Sequence, residues 1–294
     1  MKPAPFEYAR PSDVDEACAL LAADDGARVI AGGQTLVPLM AMRLARPTRL
    51  VDIGRLAELS FVRDDKSATV IGAVTRQCAV EHDPVIAANV PLLAKAMPWI
   101  GHAATRARGT IGGSLANADP ASEISLVAVT LDAILGYRDT DQAVEIRASK
   151  FFVGPMMTAL PDRALLYSVL FLNWDGRIGC GFHEVNARRS DFAFAAAAAQ
   201  VALDDDGVCR RLAVGVGAVA DRPLRLAHAE QALTGTRLEP SSVRAAVDDA
   251  LAEIETWSDL HASAEYRRRA AATLATRAIL DAQAEANEKD GDAH

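Results

Sequence analysis

Only four cysteines occur in the 294 residues, Cys18, Cys78, Cys180 and Cys209, and no two of them form a Cys-x-x-Cys pair. That spacing supplies no zinc or iron–sulfur framework; it reads as buried free thiols in a reducing compartment. No stretch approaches the ~18 uninterrupted apolar residues of a membrane-spanning helix. The opening Met1-Lys2-Pro3-Ala4-Pro5 leads into no apolar segment, so no secretory signal is expected and the cytoplasm is the default. Positive charge is not in excess. The formal net charge of -8 argues against non-specific binding to nucleic acid or to an anionic membrane, both of which want a basic surface. Neither a Gly-x-Gly-x-x-Gly fingerprint nor a Gly-x-x-x-x-Gly-Lys-Ser/Thr loop is present, which disfavours a Rossmann site or a P-loop. There is no internal repeat and no low-complexity linker.

What is present is ordinary for a folded chain: 50% hydrophobic residues and 24% charged. A chain of this length buries roughly 75% of its unfolded surface, so its core needs no disulfide or metal. Two or three small subdomains are expected. In the first, Ser12 reads as a helix N-cap with Asp13, Asp15 and Glu16 in the first turn, and Val14, Ala17, Cys18 and Leu21 recur at helical spacing. A short strand, Arg28 to Ala31, runs into Gly32-Gly33; a helical stretch, Leu36 to Leu44, and a strand, Arg49 to Ile53, complete a β-α-β-type lobe of about 55 residues. The second opens with the strand Ala68 to Ala73, followed by helical stretches at Cys78 to Ala87 and Leu92 to Trp99. Ser125 to Leu135 fits a strand or a helix equally, and Ala164 to Phe171 reads as a strand. In the last third, Phe182 to Asn186 and Cys209 to Val219 are strand-like. Asp191 to Val201 suggests a tightly packed helix or close backbone contact, Leu226 to Ala286 is helical, and Asn287 to His294 is a frayed tail. The boundaries this implies are 1–56, 57–176, 177–286 and 287–294. Within the last helix, Tyr266, Ala270, Leu274 and Ala278 share one face. The neighbouring Arg267-Arg268-Arg269 is either a solvated face or a dock for an acidic partner.

Two glycine pairs carry the chemistry. Ala31-Gly32-Gly33-Gln34-Thr35 follows the first buried strand, and Thr110-Ile111-Gly112-Gly113-Ser114 follows a basic stretch. Consecutive glycines permit positive φ and remove the Cβ atoms that would hold a ligand away. Successive backbone N–H groups can then converge on an anion such as a pyrophosphate. Either pair alone fits a structural turn; two such loops, each beside small hydroxyl residues, point to a phosphate group held mainly by neutral donors. Arg106 and Arg108 either neutralise its charge or form a solvated basic turn.

At these motifs the chain resembles the FAD-binding medium subunits of the xanthine dehydrogenase/carbon monoxide dehydrogenase family of molybdenum hydroxylases. Ala31-Gly32-Gly33-Gln34-Thr35-Leu36 is similar to that family's first flavin motif. The run from Arg108 to Glu123, Arg-Gly-Thr-Ile-Gly-Gly-Ser-Leu-Ala-Asn-Ala-Asp-Pro-Ala-Ser-Glu, is similar to its second. Phe6-x-Tyr8-x-x-Pro11, Val51-Asp52-Ile53 and Arg188-Arg189-Ser190-Asp191-Phe192-Ala193 also match, so the resemblance covers Phe6 to about Leu280. It implies an α+β, vanillyl-alcohol-oxidase-type fold: two α/β lobes with FAD between them, then a lobe of antiparallel sheet and helices. Val29, Ile30, Ala31, Gly32, Gly33, Gln34, Thr35 and Leu36 would wrap the pyrophosphate on one side. Thr110, Ile111, Gly112, Gly113 and Ser114 would wrap it on the other, with Ile100 nearby.

The same resemblance gives Glu123 a hydrogen bond to the cofactor's polar end. It gives Leu166, or Leu165 one register away, an apolar contact to adenine or flavin. Asp191 and Phe192 would lie beside the isoalloxazine, Phe192 either controlling access to it or serving as a core aromatic. Where the family brings a lysine in a Phe-x-Lys or Phe-Lys stretch, this chain has Phe182-His183-Glu184; His183 either replaces the basic contact or is structural. The resemblance further implies a small partner subunit with 2Fe-2S clusters and a large one with the molybdenum cofactor, assembled as a dimer of heterotrimers. An external electron acceptor would complete the pathway; the substrate would be an aromatic heterocycle, a purine or an aldehyde-like compound. A self-contained flavin oxidase, with His102 as the candidate for covalent attachment, and a non-catalytic nucleotide-binding module are the competing readings.

Overall fold

The first fifty residues alternate short apolar strands with helices, and parallel pairing is the arrangement such a chain adopts because each strand needs a crossover to return. The computed structural model describes residues 2–291. Strands β1 (Glu7–Ala9), β2 (Ala27–Ile30) and β3 (Arg49–Asp52), with helices α1 (Val14–Ala22) and α2 (Leu36–Ala41) between them, form a parallel three-stranded sheet in the order β1-β3-β2. The face of α1 made by Val14, Ala17, Cys18 and Leu21 is buried, as its spacing requires. The cap is Asp13 rather than Ser12. The Asp13 carboxylate accepts from the Glu16 N–H at 2.8 Å, and Ser12 donates its own N–H and hydroxyl to the Glu16 carboxylate at 2.7 and 2.9 Å. Helix α2 ends three residues before Leu44. Arg43 takes a left-handed φ of 60°, and the Leu44 N–H turns back to the Leu39 carbonyl at 2.9 Å.

The second part holds β4 (Val62–Asp64), β5 (Ala68–Gly72), α3 (Gln77–Glu81), α4 (Pro84–Asn89), α5 (Pro91–Ala96), α6 (Ala103–Arg106), α7 (Ile111–Asn117) and α8 (Glu123–Thr130). It continues with β6 (Ile134–Arg138), β7 (Ala143–Arg147), α9 (Ala148–Phe151), the hairpin β8 (Phe152–Gly154) and β9 (Met157–Thr158), and β10 (Leu165–Leu172). Its sheet runs β4-β5-β10-β6-β7, antiparallel throughout. The stretch Cys78 to Ala87 is two helices, not one. Pro84 cannot donate to a continuing helix, and Asp83 caps the new start by accepting from the N–H groups of Val85 and Ile86. The open choice over Ser125 to Leu135 resolves as helix, then strand. Every residue of α8 from Ile124 to Thr130 is buried, so no polar face marks a period.

The third part is an antiparallel sheet of β11 (Arg177–Val185), β12 (Ala195–Leu203), β13 (Cys209–Gly217) and β14 (Leu224–Arg225), backed by α10 (Ala227–Leu233), α11 (Pro240–Ala252) and α12 (Ala264–Gly291). The alanine run is the strand β12, not a helix. All nine of its residues are buried. Ala196, Ala198 and Ala202 join the core of the second part, while Ala195, Ala197, Ala199 and Val201 join the core under α11 and α12. A strand covered on both faces shows no alternation of polarity. Helix α12 lies close on β11 because Gly179 and Gly181 have no side chains there. A Cβ on Gly181 would overlap the Ala278 carbonyl, its Cα only 2.6 Å away.

Two expectations about α12 need correction. Its buried side runs through Arg267, Ala271, Ala275, Ala278, Ala282 and Ala286, with Leu274 buried beside it and Tyr266 exposed. Arg267 is not solvated. It donates to the carbonyls of Phe194 and Ala218, both at 2.7 Å, and to Asp259 at 2.6 Å, and lies over the Trp257 ring. The helix continues to Gly291, five residues into the segment expected to fray; 292–294 lie outside the described residues.

Candidate functional site

The two glycine motifs, more than seventy residues apart in sequence, meet. Gly32 sits against the backbone of Arg108 and Gly109: a Cβ there would overlap the Arg108 carbonyl oxygen and lie 3.0 Å from the Gly109 Cα. The contact joins the first part of the chain to the second.

The first motif leaves β2 at Ile30 and becomes α2 at Leu36. Val29 and Ile30 end the strand, half-buried, and the Ile30 carbonyl accepts from Ile53 N–H at 3.0 Å. Ala31 and Gly32 turn the chain, and Gly33 holds a φ of +70°, the left-handed region that favours glycine. Among the described residues no acceptor takes the backbone N–H of Gly32, Gly33, Gln34 or Thr35. Thr35 stands at the N-cap position of α2 without using its hydroxyl as a cap. A run of unclaimed amides and a free hydroxyl is the donor set that binds a diphosphate.

The second motif differs from the expected glycine turn. Gly112 and Gly113 lie in the first turn of α7 with ordinary helical backbone, and their donors are already taken. Ile111 N–H goes to the Thr75 carbonyl at 3.1 Å, Gly112 N–H to Ala73 at 2.8 Å, and Gly113 N–H to the Thr110 hydroxyl at 3.1 Å. These amides therefore do not converge on an anion. Gly112 is needed for proximity: its Cβ would lie 2.8 Å from the Ala73 Cα. The motif is a rigid wall docked on the end of β5, with Gly113 exposed and Gly112 buried. The Ser114 hydroxyl is paired with that of Ser122, the cap of α8, at 2.9 Å.

Arg106 is also reassigned. It grips Glu81 with two bonds, at 2.7 and 2.9 Å, and donates to the carbonyls of Ile100 and Gly101, so its charge is spent holding the approach to the motif. Ile100 itself is buried in the core of the second part. Arg108 is exposed. Two residues that sequence reading passed over support the same wall. Arg76 donates to the Arg108 carbonyl, and Gln77 gives its N–H to Gly109 at 3.0 Å while its buried Oε1 has no partner. Neither stands in a recognisable pattern; only the fold brings them there.

Beyond the wall, Glu123 opens α8, half-buried. Burial pushes its carboxyl up to about 7; its own backbone N–H opposes this and the charge of Asp119 adds to it. Strand alternation separates the members of Phe182-His183-Glu184. His183 faces α12 and bonds Asp281 at 2.8 Å, on the side where Gly179 and Gly181 meet that helix. It is thus turned away from Glu123. Phe182 and Glu184 face the other way; the Phe182 ring lies 5.9 Å from that of Trp99. Glu184 is pushed up to about 8 by burial and by the charge of Glu123, against a hydrogen bond from Asn186.

Leu165 and Leu166 point to opposite faces of β10. Leu165 packs against the first part, and Leu166 enters the core of the second. Asp191 and Phe192 occupy the exposed loop between β11 and β12, and Phe192 is 74% exposed, so it is no core aromatic. A cavity of about 330 Å³ connects this loop to the second motif's approach, lined by Pro98, Gly101, His102, Ala103, Arg106, Arg189 and Ser190. Cys18, Cys180 and Cys209 are buried and outside any disulfide, and Cys78 is partly exposed. Among the described residues no group of His, Cys, Asp or Glu could hold a metal ion, and no helix is long and apolar enough to cross a membrane.

A loop of free amides meeting a docked helix start, followed by a sheet-and-helix unit, belongs to an FAD-binding oxidoreductase subunit. Residues 4–171 match the family described as the FAD binding domain in molybdopterin dehydrogenase, and residues 181–282 match the CO dehydrogenase flavoprotein C-terminal domain. The chain is 34% identical to the 6-hydroxypseudooxynicotine dehydrogenase complex subunit alpha of Paenarthrobacter nicotinovorans, covering 96% of each chain. It is 32% identical to the carbon monoxide dehydrogenase medium chain of Afipia carboxidovorans, covering 97% of this chain and 99% of that one. Among solved structures, carbon monoxide dehydrogenase from Hydrogenophaga pseudoflava superposes with a TM-score of 0.93 at 32% identity, over 97% and 99% of the two chains. The chain belongs to the family of FAD-binding medium subunits of the molybdenum hydroxylases. Its cofactor is FAD, and its class is oxidoreductase.

Proposed function

We propose that this chain is the electron-relay subunit of a heterotrimeric molybdenum hydroxylase, with FAD seated across the junction of Gly32 and Gly109. The observation that carries the reading is that junction: an unclaimed run of amides from Gly32 to Thr35 facing a wall whose own amides are satisfied. The first loop would supply the donors to the diphosphate, and the second motif would supply shape and close approach. The residues present fit the cofactor, because a Cβ at Gly32 would close the junction and four free N–H groups match an anion. Bound FAD would supply the redox chemistry that carries electrons from an iron–sulfur cluster to an external acceptor. Glu123 would take the cofactor's polar end, and Phe192, exposed in its loop, would control the approach of the acceptor.

The partners on this reading are a small 2Fe-2S subunit and a large molybdenum subunit, in a cytoplasmic dimer of heterotrimers. Hydroxylation would occur on the large subunit, on an aromatic heterocycle, a purine or an aldehyde-like compound; relatives include a nicotine 6-hydroxylase medium subunit and a glyceraldehyde dehydrogenase medium chain. The test is reconstitution. The purified chain should bind FAD, show the absorption bands of a flavoprotein and oxidise no substrate until both partners are added. Turnover by this polypeptide alone would make it a self-contained oxidase; failure to bind FAD would leave a non-catalytic module.

A further inference from the structure

Three carboxyl groups lie past the second motif: Asp119 near the start of the α7–α8 turn, Glu123 at the start of α8, and Glu184 on β11. Glu184 has unfinished bonding. Its Oε1 accepts from the Asn186 amide at 2.8 Å, but its Oε2 is shielded from solvent and has no partner in the protein. A buried polar atom without a partner is costly unless something else completes it.

The surroundings decide its charge. From α5, Lys95 reaches this strand but is committed to the Cys180 carbonyl and to Glu285. From α12, Asp281 pairs with His183 on the opposite face of the sheet. Strand β12, alongside, brings alanines and Gln200. Arg188 and Arg189, in the loop beyond Asn186, are exposed. From α8 comes Glu123, and behind it Asp119, itself pushed up by burial. The charge of Glu123 acts on Glu184, so ionising it places like charges together in a poorly solvated site.

We propose that Glu184 is kept as a neutral acid whose protonated Oε2 donates a hydrogen bond to an acceptor atom of the bound FAD. This rests on the reading that the chain binds FAD at the Gly32–Gly109 junction, and it adds a contact from the third part of the chain. A donor of this kind is present only while the proton is. Deprotonation replaces it with a carboxylate that repels the acceptor. The burial and the Glu123 charge that push the carboxyl up to about 8 put this change just above neutrality.

The experiment is a titration of the purified, FAD-free full chain with FAD, followed by flavin fluorescence from pH 6 to 9.5, for the wild type and Glu184→Gln. The amide keeps the shape and a donor but cannot ionise. Above pH 8 the wild-type dissociation constant should rise about tenfold more per pH unit than that of Glu184→Gln, the slope for one linked proton; Glu123, raised to about 7, titrates in both proteins. Infrared spectra of the FAD-free chain at neutral pH should show a protonated-carboxyl band that Glu184→Gln diminishes. Equal slopes in the two proteins, or a band unchanged by the substitution, overturn the proposal and leave FAD binding standing. Absence of FAD binding by either protein at every pH overturns the functional reading instead.

Discussion

Substituting Gly32 with alanine tests the junction directly. The added methyl would meet the Arg108 carbonyl oxygen and the Gly109 Cα, the latter at 3.0 Å. Restoring ordinary separation requires the carbonyl to retreat by roughly 1 Å, since carbon and oxygen atoms rarely pack closer than about 3.4 Å. That carbonyl is held by Arg76, and the amide beyond it belongs to a motif docked on β5, so the wall cannot simply swing away. The first loop must move instead, carrying its free amides with it. Overpacking of this kind costs about 1–3 kcal/mol. Because the loop is irregular and half-buried, most of that cost should fall on the FAD complex and little on the fold. FAD affinity should drop about 10- to 100-fold, at 1.4 kcal/mol per tenfold. The assay is fluorescence titration with FAD beside thermal unfolding of the cofactor-free chain. Gly235→Ala is the control: it forces a φ of +84° on alanine with nothing within 4 Å, so it should cost about 1 kcal/mol of stability and leave the affinity unchanged. A folded Gly32→Ala protein that binds FAD as tightly as the wild type would refute the reasoning.

Arg267→Ala should destabilise the chain by about 3–5 kcal/mol in denaturant unfolding, because it removes the bonds to the Phe194 and Ala218 carbonyls and leaves Asp259 without its cation. Burial alone would raise Asp259. The N–H groups of Ala262 and His261 and the Arg267 guanidinium outweigh it and bring it down to about 2. Its stabilisation is therefore present above the usual carboxylate range and lost between about pH 4 and 2; the alanine variant should show a weaker acid transition there. Glu123 runs the other way. Its carboxyl is raised to about 7, so its contribution is full below about pH 4.5 and is lost as pH climbs through 7. Melting temperatures of Glu123→Gln and the wild type, both without FAD, should coincide at pH 4 and diverge in favour of the variant by pH 8. Gly181→Ala should lift α12 from β11 and cost about 1–3 kcal/mol in the same unfolding assay, without touching FAD affinity in the surviving folded fraction.

The sequence was most legible where local chemistry leaves no choice. The buried face of α1 follows from Val14, Ala17, Cys18 and Leu21, and the glycine motifs stand out because two such pairs occur, each beside small hydroxyl residues. It was least legible where burial is complete. In α8 and in β12 every position is apolar or small, so the period that separates helix from strand has no polar partner to reveal it. The basic run Arg267-Arg268-Arg269 misled for a related reason. Charge usually marks a solvated face, but Arg267 is drawn inside by two carbonyls and Asp259, groups that adjoin it only after α12 docks on the sheet.

The site divides along the same line. The amino-acid order by itself determined that the chain carries two glycine motifs, one after a short strand and one after a basic stretch, that its cysteine spacing offers no metal framework, and which family's pattern it shares. Tertiary structure alone decided that the loops are unequal. The first keeps its amides free because its strand ends in a left-handed turn. The second spends its amides on Thr75, Ala73 and Thr110 because Gly112 lets α7 settle onto β5. It also decided that His183 looks away while Glu184 looks in, since a strand sends neighbours to opposite faces and only the docked α12 shows which face is taken. Donors and charges are properties of residues; whether they are still available is a property of what the fold sets beside them.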